Sequence, residues 1–467
     1  MKFLISNEIT IHEPSADVMR YCKSNLILSN PEYTKKQRMN FWIGSTPKEI
    51  HYYRSDSGNL IIPYGCLDDL MPIIKQSEWE TDFADVPIEH ISRNAIILEG
   101  YQDTAVNAMH KAKNGILLCP TAGGKTIMGM SLIGMSGQRS LWLVSSQELA
   151  MQAASAYTKM YHVEGSDIGF IREGKVELGR KLTIAIINSL YRVDIDKHTF
   201  GIIIADECHM AVKSIESSAM FSKCLEMFSC RRKYGVTATF ERSDGDEKRV
   251  SMLVGNVKRE VPREAVSARV VTPSVKRIDT GVESSSEYLD TDGTVCFTSL
   301  AKYIAEHVSR NMLIADNVAT HMSQGHSCLV LCDRIAQVKM IYDMLLAQED
   351  VADKVCMVTG SMANKKGKAE REAAIEMMRN REKKCLIATV SLAGQGLDII
   401  CLSRLHFVSL LKFSGKIAQT VGRVSRAAEG KQAPEVWDYV DSAIGYCLGA
   451  YKKRVRTYKK LGMEISG

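Results

Sequence analysis

The stretch Ile116-Leu117-Leu118-Cys119-Pro120-Thr121-Ala122-Gly123-Gly124-Lys125-Thr126 settles the fold class, and the rest of the chain reads outward from it. Residues 116–118 form a short continuous apolar run of the kind that makes a buried strand. From Ile127 onward the residues have helical character. Between strand and helix sit two glycines and a lysine. Glycines let successive backbone N–H groups curl around phosphate oxygens, and the amino end of the next helix adds its partial positive charge. In this reading Lys125 reaches the β and γ phosphates, Thr126 holds magnesium, and Thr121, Gly123 and Gly124 line the loop. The loop opens on Cys119 where the strict phosphate-loop pattern has glycine, so the strand-loop-helix context carries the assignment.

A second signal, Asp206-Glu207-Cys208-His209, closes the apolar run 201–205. A carboxylate at the carboxyl end of a parallel strand lies beside the phosphate loop of the same sheet. There Asp206 serves as a magnesium ligand and Glu207 as the group that activates an attacking water. The surrounding chain supports such a sheet. Leu141-Trp142-Leu143-Val144, Ile184-Ala185-Ile186-Ile187 and Ile202-Ile203-Ile204 read as buried strands, each followed by a helix-like segment. That alternation is the pattern of a parallel sheet covered on both faces. It recurs at 328–332, 355–358, 385–388 and 405–408, giving a second α/β unit. Residues 265–298 read as a linker with some strand content, 1–92 as a separate mixed region, and 439–461 as helix.

Composition bounds the remaining choices. At roughly 150 residues per domain, 467 residues suggest about three domains. Hydrophobic residues at 45% and charged residues at 24% exclude a disordered, collagenous or membrane-spanning chain. No apolar run approaches the roughly 18 residues needed to cross a bilayer, and the first ten residues are not a signal peptide. Thirteen cysteines without a Cys-x-x-Cys pair argue against a disulfide framework or a zinc ribbon and for reduced thiols in a cytoplasmic protein. The eleven histidines show no metal-ligand spacing. The net charge of +6 is too mild to establish a polyanionic partner.

Taken in order, the motifs resemble those of the superfamily 2 helicases over about residues 95–440. Leu98-Glu99-Gly100-Tyr101-Gln102 resembles the adenine-reading motif, with Tyr101 and Gln102 at the nucleotide. Leu143-Val144-Ser145-Ser146-Gln147-Glu148-Leu149 resembles motif Ia, and Ile187-Asn188-Ser189-Leu190 occupies the place of a further strand-binding motif with Asn188 as a contact. Thr237-Ala238-Thr239 resembles motif III, whose two threonines couple hydrolysis to strand movement. His209 would bridge motifs rather than bind zinc. The continuation Glu241-Arg242-Ser243-Asp244-Gly245 fits relatives with Arg-x-Asp-Gly, although Phe240 stands where they have proline. In the second unit, 330–333 resembles motif IV, Thr359 and Gly360 a nucleic-acid contact, and 388–398 motif V. There Thr389 and Gly394 would face the strand, and Gly396 and Asp398 the nucleotide. Gln419-Thr420-Val421-Gly422-Arg423-Val424-Ser425-Arg426 matches motif VI. The resemblance implies Gln419 at the phosphates and Arg423 and Arg426 as catalytic arginines reaching across a cleft, Arg426 as the finger.

The implied architecture is α/β: a small α+β N-terminal domain (1–92) and two RecA-like parallel-sheet domains in tandem (93–268 and 269–467), the second ending in a basic helical tail. The implied cofactors are ATP and Mg²⁺, and the implied partner is single-stranded, forked or branched DNA. Motif VI begins with Gln rather than His, which is similar to the DNA-directed XPB, RecG and phage UvsW-type branch-migration helicases; a viral source and 3′-to-5′ movement fit the same analogy. An RNA helicase, or a nucleotide-gated binding module without unwinding, are the competing readings. The presence of both Glu207 and Arg426 weighs against the second.

Charge placement sharpens the partner reading. Residues 1–95 carry ten basic and thirteen acidic side chains, yet 31–54 hold Lys35, Lys36, Arg38, Lys48 and Arg54 against Glu32 and Glu49. Tyr33, Phe41, Trp42, Tyr52 and Tyr53 are interleaved. Two readings stand: basic groups on phosphates with aromatics stacking on bases, or an aromatic core beneath a solvated basic face. The same pair of readings applies to 451–460, with six basic residues and no acid.

Overall fold

The computed structural model describes residues 2–38, 41–74, 78–89, 97–209, 215–238, 247–359, 365–390, 399–410, 412, 414–427 and 430–467. The chain divides into two compact units, Met1–Ala265 and Val266–Gly467.

The first unit holds an eight-stranded sheet. Its spatial order is Lys175–Val176, Ile168–Arg172, Leu182–Ile186, Ser140–Val144, Ile202–Asp206, Arg232–Thr237, Asn114–Leu118 and Val257–Glu260. All neighbours pair in parallel except Lys175–Val176, which turns back on Ile168–Arg172 as a hairpin. Leu141, Trp142, Leu143 and Val144 are fully buried, which is why that run carries no polar alternation. The phosphate-loop strand and the Asp206 strand are separated by Arg232–Thr237, so their carboxyl ends converge on one edge around Thr237.

Residues before 92 build a second sheet in the same unit, ordered Arg54–Asp56, Asn59–Pro63, Glu8–His12, Lys2–Ile5, Glu78–Thr81, with helices Ala16–Asn25 and Leu67–Ile74 on its core. Phe3, Ile5, Ile9, Ile11, Leu60 and Ile62 supply that core by strict alternation. Met252, from the helix Glu247–Val254, is packed into it. Tyr64 donates its hydroxyl to the Arg231 carbonyl at 2.7 Å, and Lys258 pairs with Asp68. The N-terminal sheet therefore leans on the first large sheet rather than standing apart on a linker.

The second unit is a seven-stranded parallel sheet, ordered Val355–Val358, Cys385–Thr389, Cys328–Cys332, Arg404–Phe407, Glu435–Val440, Ser274–Asp279, Ile465–Ser466. The two large sheets are the RecA-like pair expected from the motif order. The strand content expected within 265–298 is present as Ser274–Asp279, and it belongs to the sheet rather than to a linker. Ser274–Asp279 is an inner strand, flanked on both sides, and its mixed run Ser-Val-Lys-Arg-Ile-Asp buries only Val275 fully. The expected helix over 439–461 begins instead at Gly445, because Tyr439 and Val440 finish a strand.

The basic tail is corrected in part as well. Arg454 is buried and bidentate to Asp438, at 2.7 Å and 2.9 Å, with the Tyr458 hydroxyl donating to the same carboxylate at 2.8 Å. One of the six cations thus serves the core, while Lys452, Lys453, Lys459 and Lys460 are exposed. Removing one partner of a buried ion pair strands the other charge in a medium that solvates it poorly, at a cost of about 3–5 kcal/mol. Asp438→Ala is accordingly expected to destabilise the protein by about that amount, read as an earlier denaturant midpoint; an unchanged midpoint would show that Arg454 finds another partner.

Candidate nucleotide and nucleic-acid site

The helix Lys125–Ser136 starts immediately after the strand Asn114–Leu118, across the loop 119–124. Gly124 caps it at φ +83° and Ala122 stands at φ +68°. Glycine adopts such a conformation freely, whereas alanine pays roughly 1–2 kcal/mol for it, so the loop stores strain where its amides must turn inward. A second strained residue is Glu207, at φ +48°, directly after the Asp206 strand. That turn swings the Glu207 carboxylate back over the loop.

The consequence is a compact charged network. Lys125 Nζ lies 3.0 Å from Glu207 Oε1, with both side chains largely buried. His209 Nδ1 is 3.2 Å from the other Glu207 oxygen and 2.7 Å from Thr237 Oγ1. Thr237 Oγ1 lies 3.4 Å from Glu207 Oε2. The Glu207 amide donates to Asp206 Oδ1 at 2.9 Å. Phosphate loop, acidic strand end and the following strand are thereby joined, and His209 bridges two of them as the sequence suggested.

Burial and charge divide the two carboxylates. Burial raises the Asp206 pKa, the Glu207 charge raises it further against the pull of Lys125, and it reaches about 7. At Glu207 burial also acts upward, but Lys125 and His209 overcome it and hold the group well below the usual carboxylate range. Burial opposes the Lys125 charge, and the two carboxylates outweigh it, so the ammonium is held firmly. Two carboxylates share one ammonium here. Oxygen donors with an excess of negative charge, beside the half-buried Thr126, fit a hard divalent cation such as Mg²⁺.

Gln102 is buried, and its side-chain amide donates to the Gly123 carbonyl at 3.2 Å. The Tyr101 hydroxyl donates to the same carbonyl at 3.2 Å. Gln102 Oε1 accepts from the Glu99 amide at 3.1 Å in a capping box at the start of the helix Gly100–Ala112. Tyr101 and Gln102, the residues expected to read adenine, are therefore bonded to the loop 119–124 itself. Thr121 is half-buried and Gly123 is buried.

Asn188 is exposed on the short helix Ile187–Leu190, and its neighbour Ser189 accepts from the Glu173 amide at the hairpin tip, 3.1 Å away. Sequence reading missed what lies beside it. A cavity of about 320 Å³ is lined by Gln147, Phe170, Arg172, Glu173, Lys175 and Glu177, so the hairpin joins Gln147 of the motif Ia stretch to the Asn188 turn. The hairpin bears mixed charge and no recognisable motif, which left it silent in the sequence.

In the second unit Thr359 and Thr389 are buried at the carboxyl ends of adjacent strands. Arg423, in the helix Ser414–Val424, and Arg426 are each half-buried. Burial lowers the Arg426 pKa, and a bridge to Val270 with a Val271 amide bond to the Ser425 carbonyl ties its backbone down. Thr239, Gly360, Gly394, Gly396 and Asp398 lie outside the described residues, as do the side chains of Lys35, Arg38 and Gln419. Trp42 is 88% exposed and Phe41 57%, whereas Tyr52 and Tyr53 pack against the N-terminal core. The aromatics thus split between the two readings. Lys36 is engaged with Glu32 and Thr46.

A strained phosphate loop facing paired carboxylates on one parallel sheet, followed by a second parallel sheet, defines a two-sheet nucleoside-triphosphatase. Residues 95–242 match the family model "Type III restriction enzyme, res subunit", and 309–428 match "Helicase conserved C-terminal domain". The chain belongs to the superfamily 2 helicases, enzymes that hydrolyse ATP with a divalent metal. It is 24% identical over 348 residues to "Probable helicase D10" of Escherichia phage T5, covering 73% of this chain and 70% of that one. It is 29% identical over 184 residues to "DNA 3'-5' translocase XPB2" of Sulfurisphaera tokodaii, covering 39% and 40%. These matches leave 30% and 60% of the two relatives' lengths unpaired. Among solved structures, S. cerevisiae Dbp5 bound to RNA and ADP BeF3 superposes with a TM-score of 0.57 at 13% identity, over 79% of this chain and 94% of that one. That likeness concerns the fold.

Gln102→Ala removes both the donor to Gly123 and the acceptor for Glu99. Leaving such buried groups unsatisfied costs about 1–3 kcal/mol. The expected outcome is lower stability together with weaker nucleotide binding, measured by thermal melting with and without ATP. Loss of stability with unaltered nucleotide affinity would confine Gln102 to a structural role.

Proposed function

We propose that this protein is an ATP-dependent DNA helicase or translocase of the UvsW type, acting on forked and branched DNA in recombination, replication or repair. The observation that carries the motor reading is the Lys125–Glu207–His209–Thr237 network on one sheet edge. The choice of DNA is supported by Gln419 at the head of motif VI and by the named DNA translocase among the relatives. Residues 1–92 are assigned to DNA recognition, 93–268 and 269–467 to the two motor lobes.

In this proposal the loop amides, with Thr121, Gly123 and Gly124, bind the phosphates, and Lys125 exchanges Glu207 for them. Tyr101 and Gln102 hold the base end and report occupancy to the loop through Gly123. Thr126 and Asp206 would hold magnesium, which supplies charge neutralisation at the phosphates when bound. Glu207, released by Lys125, accepts the proton of the attacking water. Gln419, Gly396 and Asp398 contribute to the nucleotide, and Arg423 and Arg426 supply positive charge to the departing phosphates, a contribution worth roughly 10³–10⁵ in rate for an arginine finger. Thr237 and Thr239 couple hydrolysis to strand movement. Asn188, Thr359, Gly360, Thr389 and Gly394 contact the strand, with Lys35, Lys36, Arg38 and Trp42 serving the recognition domain.

Glu207→Gln keeps the shape and removes the base. ATP turnover is expected to fall by about 10²–10⁴ while nucleotide binding persists. Turnover and unwinding should be measured on single strand, duplex, fork, Holliday junction and RNA. Stimulation by RNA and not by forked DNA would replace this reading with an RNA helicase. No stimulation by any of them would leave a nucleotide-gated binding module.

The N-terminal assignment is best tested by a point change, because deleting residues 1–92 would also uncover Met252 and Tyr64's partner strand. A stacked aromatic contributes roughly 1–3 kcal/mol per base. Trp42→Ala should therefore weaken junction binding by about 5–150-fold and leave basal ATPase unchanged. Equal junction affinity would remove Trp42 from the interface.

A further inference from the structure

His321, Cys328 and His406 come together in the core of the second unit, although the first and last are 85 residues apart in sequence. They arrive from three elements: the helix Val308–Ser323 and the paired strands Cys328–Cys332 and Arg404–Phe407. All three are buried, and none belongs to the motor motifs. His321 Nδ1 lies 3.1 Å from His406 Nε2. The three ligand atoms are all within 4.8 Å of one another.

We propose that this cluster is a binding site for a thiophilic transition-metal ion of the zinc type, distinct from the magnesium site of the motor. Three atoms with a greatest separation of 4.8 Å share a centre no more than about 2.8 Å from each, against typical bond lengths of about 2.0–2.1 Å to nitrogen and about 2.3 Å to sulfur. Contraction by well under an ångström completes the bonds. Nitrogen and thiolate donors select zinc or copper(I) over magnesium and calcium. The second ring nitrogen of His406 meets the Tyr439 hydroxyl at 2.9 Å, the outer hydrogen bond that fixes a ligating imidazole's orientation. Trp437 stands edge-on to His321 at 4.3 Å between ring centres and restrains that ring too.

Arg404 is the nearest cation. Its guanidinium donates to the Ala433 carbonyl at 2.7 Å and lies 3.4 Å from the Glu435 carboxylate, which offsets it. His326 is held by Ser403 at 3.2 Å and is not among the three. A neutral imidazole pair accounts for the His–His contact alone. The thiol at the third corner is what makes the group a ligand set. With three protein donors, a fourth position remains for water or a trigonal ion.

The test uses the full chain purified with zinc and passed through a desalting column. Elemental analysis should return about one zinc per chain, and replacement with cobalt(II) should produce a thiolate-to-cobalt charge-transfer band. Cys328→Ala and His406→Phe should each lose the zinc. Cys356→Ala, two strands from Cys328 in the sheet with its thiol directed at the Cys385 carbonyl, should keep it. Zinc should raise the melting temperature of the unaltered chain over its chelator-treated form, and that increment should vanish in Cys328→Ala. If the core variants fail to fold, the cobalt spectrum of the unaltered protein decides. Zinc well below one equivalent with no cobalt–thiolate band overturns the site, as does undiminished zinc in Cys328→Ala.

Discussion

The ion pair between Lys125 and Glu207 is the constraint around which the first unit is arranged. Neither group could be held so deeply alone. A buried ammonium and a buried carboxylate each lose hydration worth several kcal/mol, and only close opposition makes the loss tolerable. To bring them together the chain accepts left-handed backbone at two residues with side chains, Ala122 and Glu207. Strain of this kind persists only where the surroundings over-determine it. Here they do: Asn114–Leu118 and Ile202–Asp206 are both pinned to Arg232–Thr237, and the Cys119 amide donates to the Thr237 carbonyl at 3.0 Å.

An arrangement so dependent on one pair is also easily altered. A phosphate competes with Glu207 for the same ammonium. Once Lys125 turns to it, the carboxylate loses its strongest partner while keeping His209 and Thr237. The same exchange touches Gln102 and Tyr101, because both bond to the Gly123 carbonyl of the loop. Tyr101 and Gln102 thus share hydrogen bonds with the loop, and Lys125 at the loop's end is paired with the acidic strand end.

How much of this was legible in the sequence depended on whether the physical signal was local. Ile202–Asp206, Cys328–Cys332 and Val355–Val358 were readable because a strand buried on both faces is a continuous apolar run. Arg232–Thr237 and Ser274–Asp279 were not, because charges interrupt them. Lys233 is nonetheless fully buried, its ammonium donating to the Leu225 carbonyl at 3.0 Å and lying 5.0 Å from the centre of the Tyr64 ring. Part of that environment, the Tyr64 ring and the Asn7 carbonyl, comes from the N-terminal region, and no window of sequence contains both. The site residues Lys125, Asp206 and Glu207 were legible from short motifs. The hydrogen bonds from Gln102 to the Gly123 carbonyl and from Thr237 to Glu207 span 21 and 30 residues and required the fold.

Net charge illustrates the same limit from the opposite direction. Six basic residues in ten, at 451–460, suggest a polyanion surface when read as a list. Helical periodicity divides them: Arg454 faces inward with Tyr451 and Tyr458, and its charge is spent on Asp438. The other five, Lys452, Lys453, Arg456, Lys459 and Lys460, stand on the outer face. A cluster of cations on a helix is therefore two populations, and the inward one is recognised by its apolar neighbours at spacings of three and four. The exposed Trp42 is the converse case. It sits, with the exposed Phe41, in a stretch of which Tyr52 and Tyr53 are drawn to the core. An indole left almost wholly in water contributes little to folding, and under the proposed function an unpaired base offers the flat apolar face it lacks.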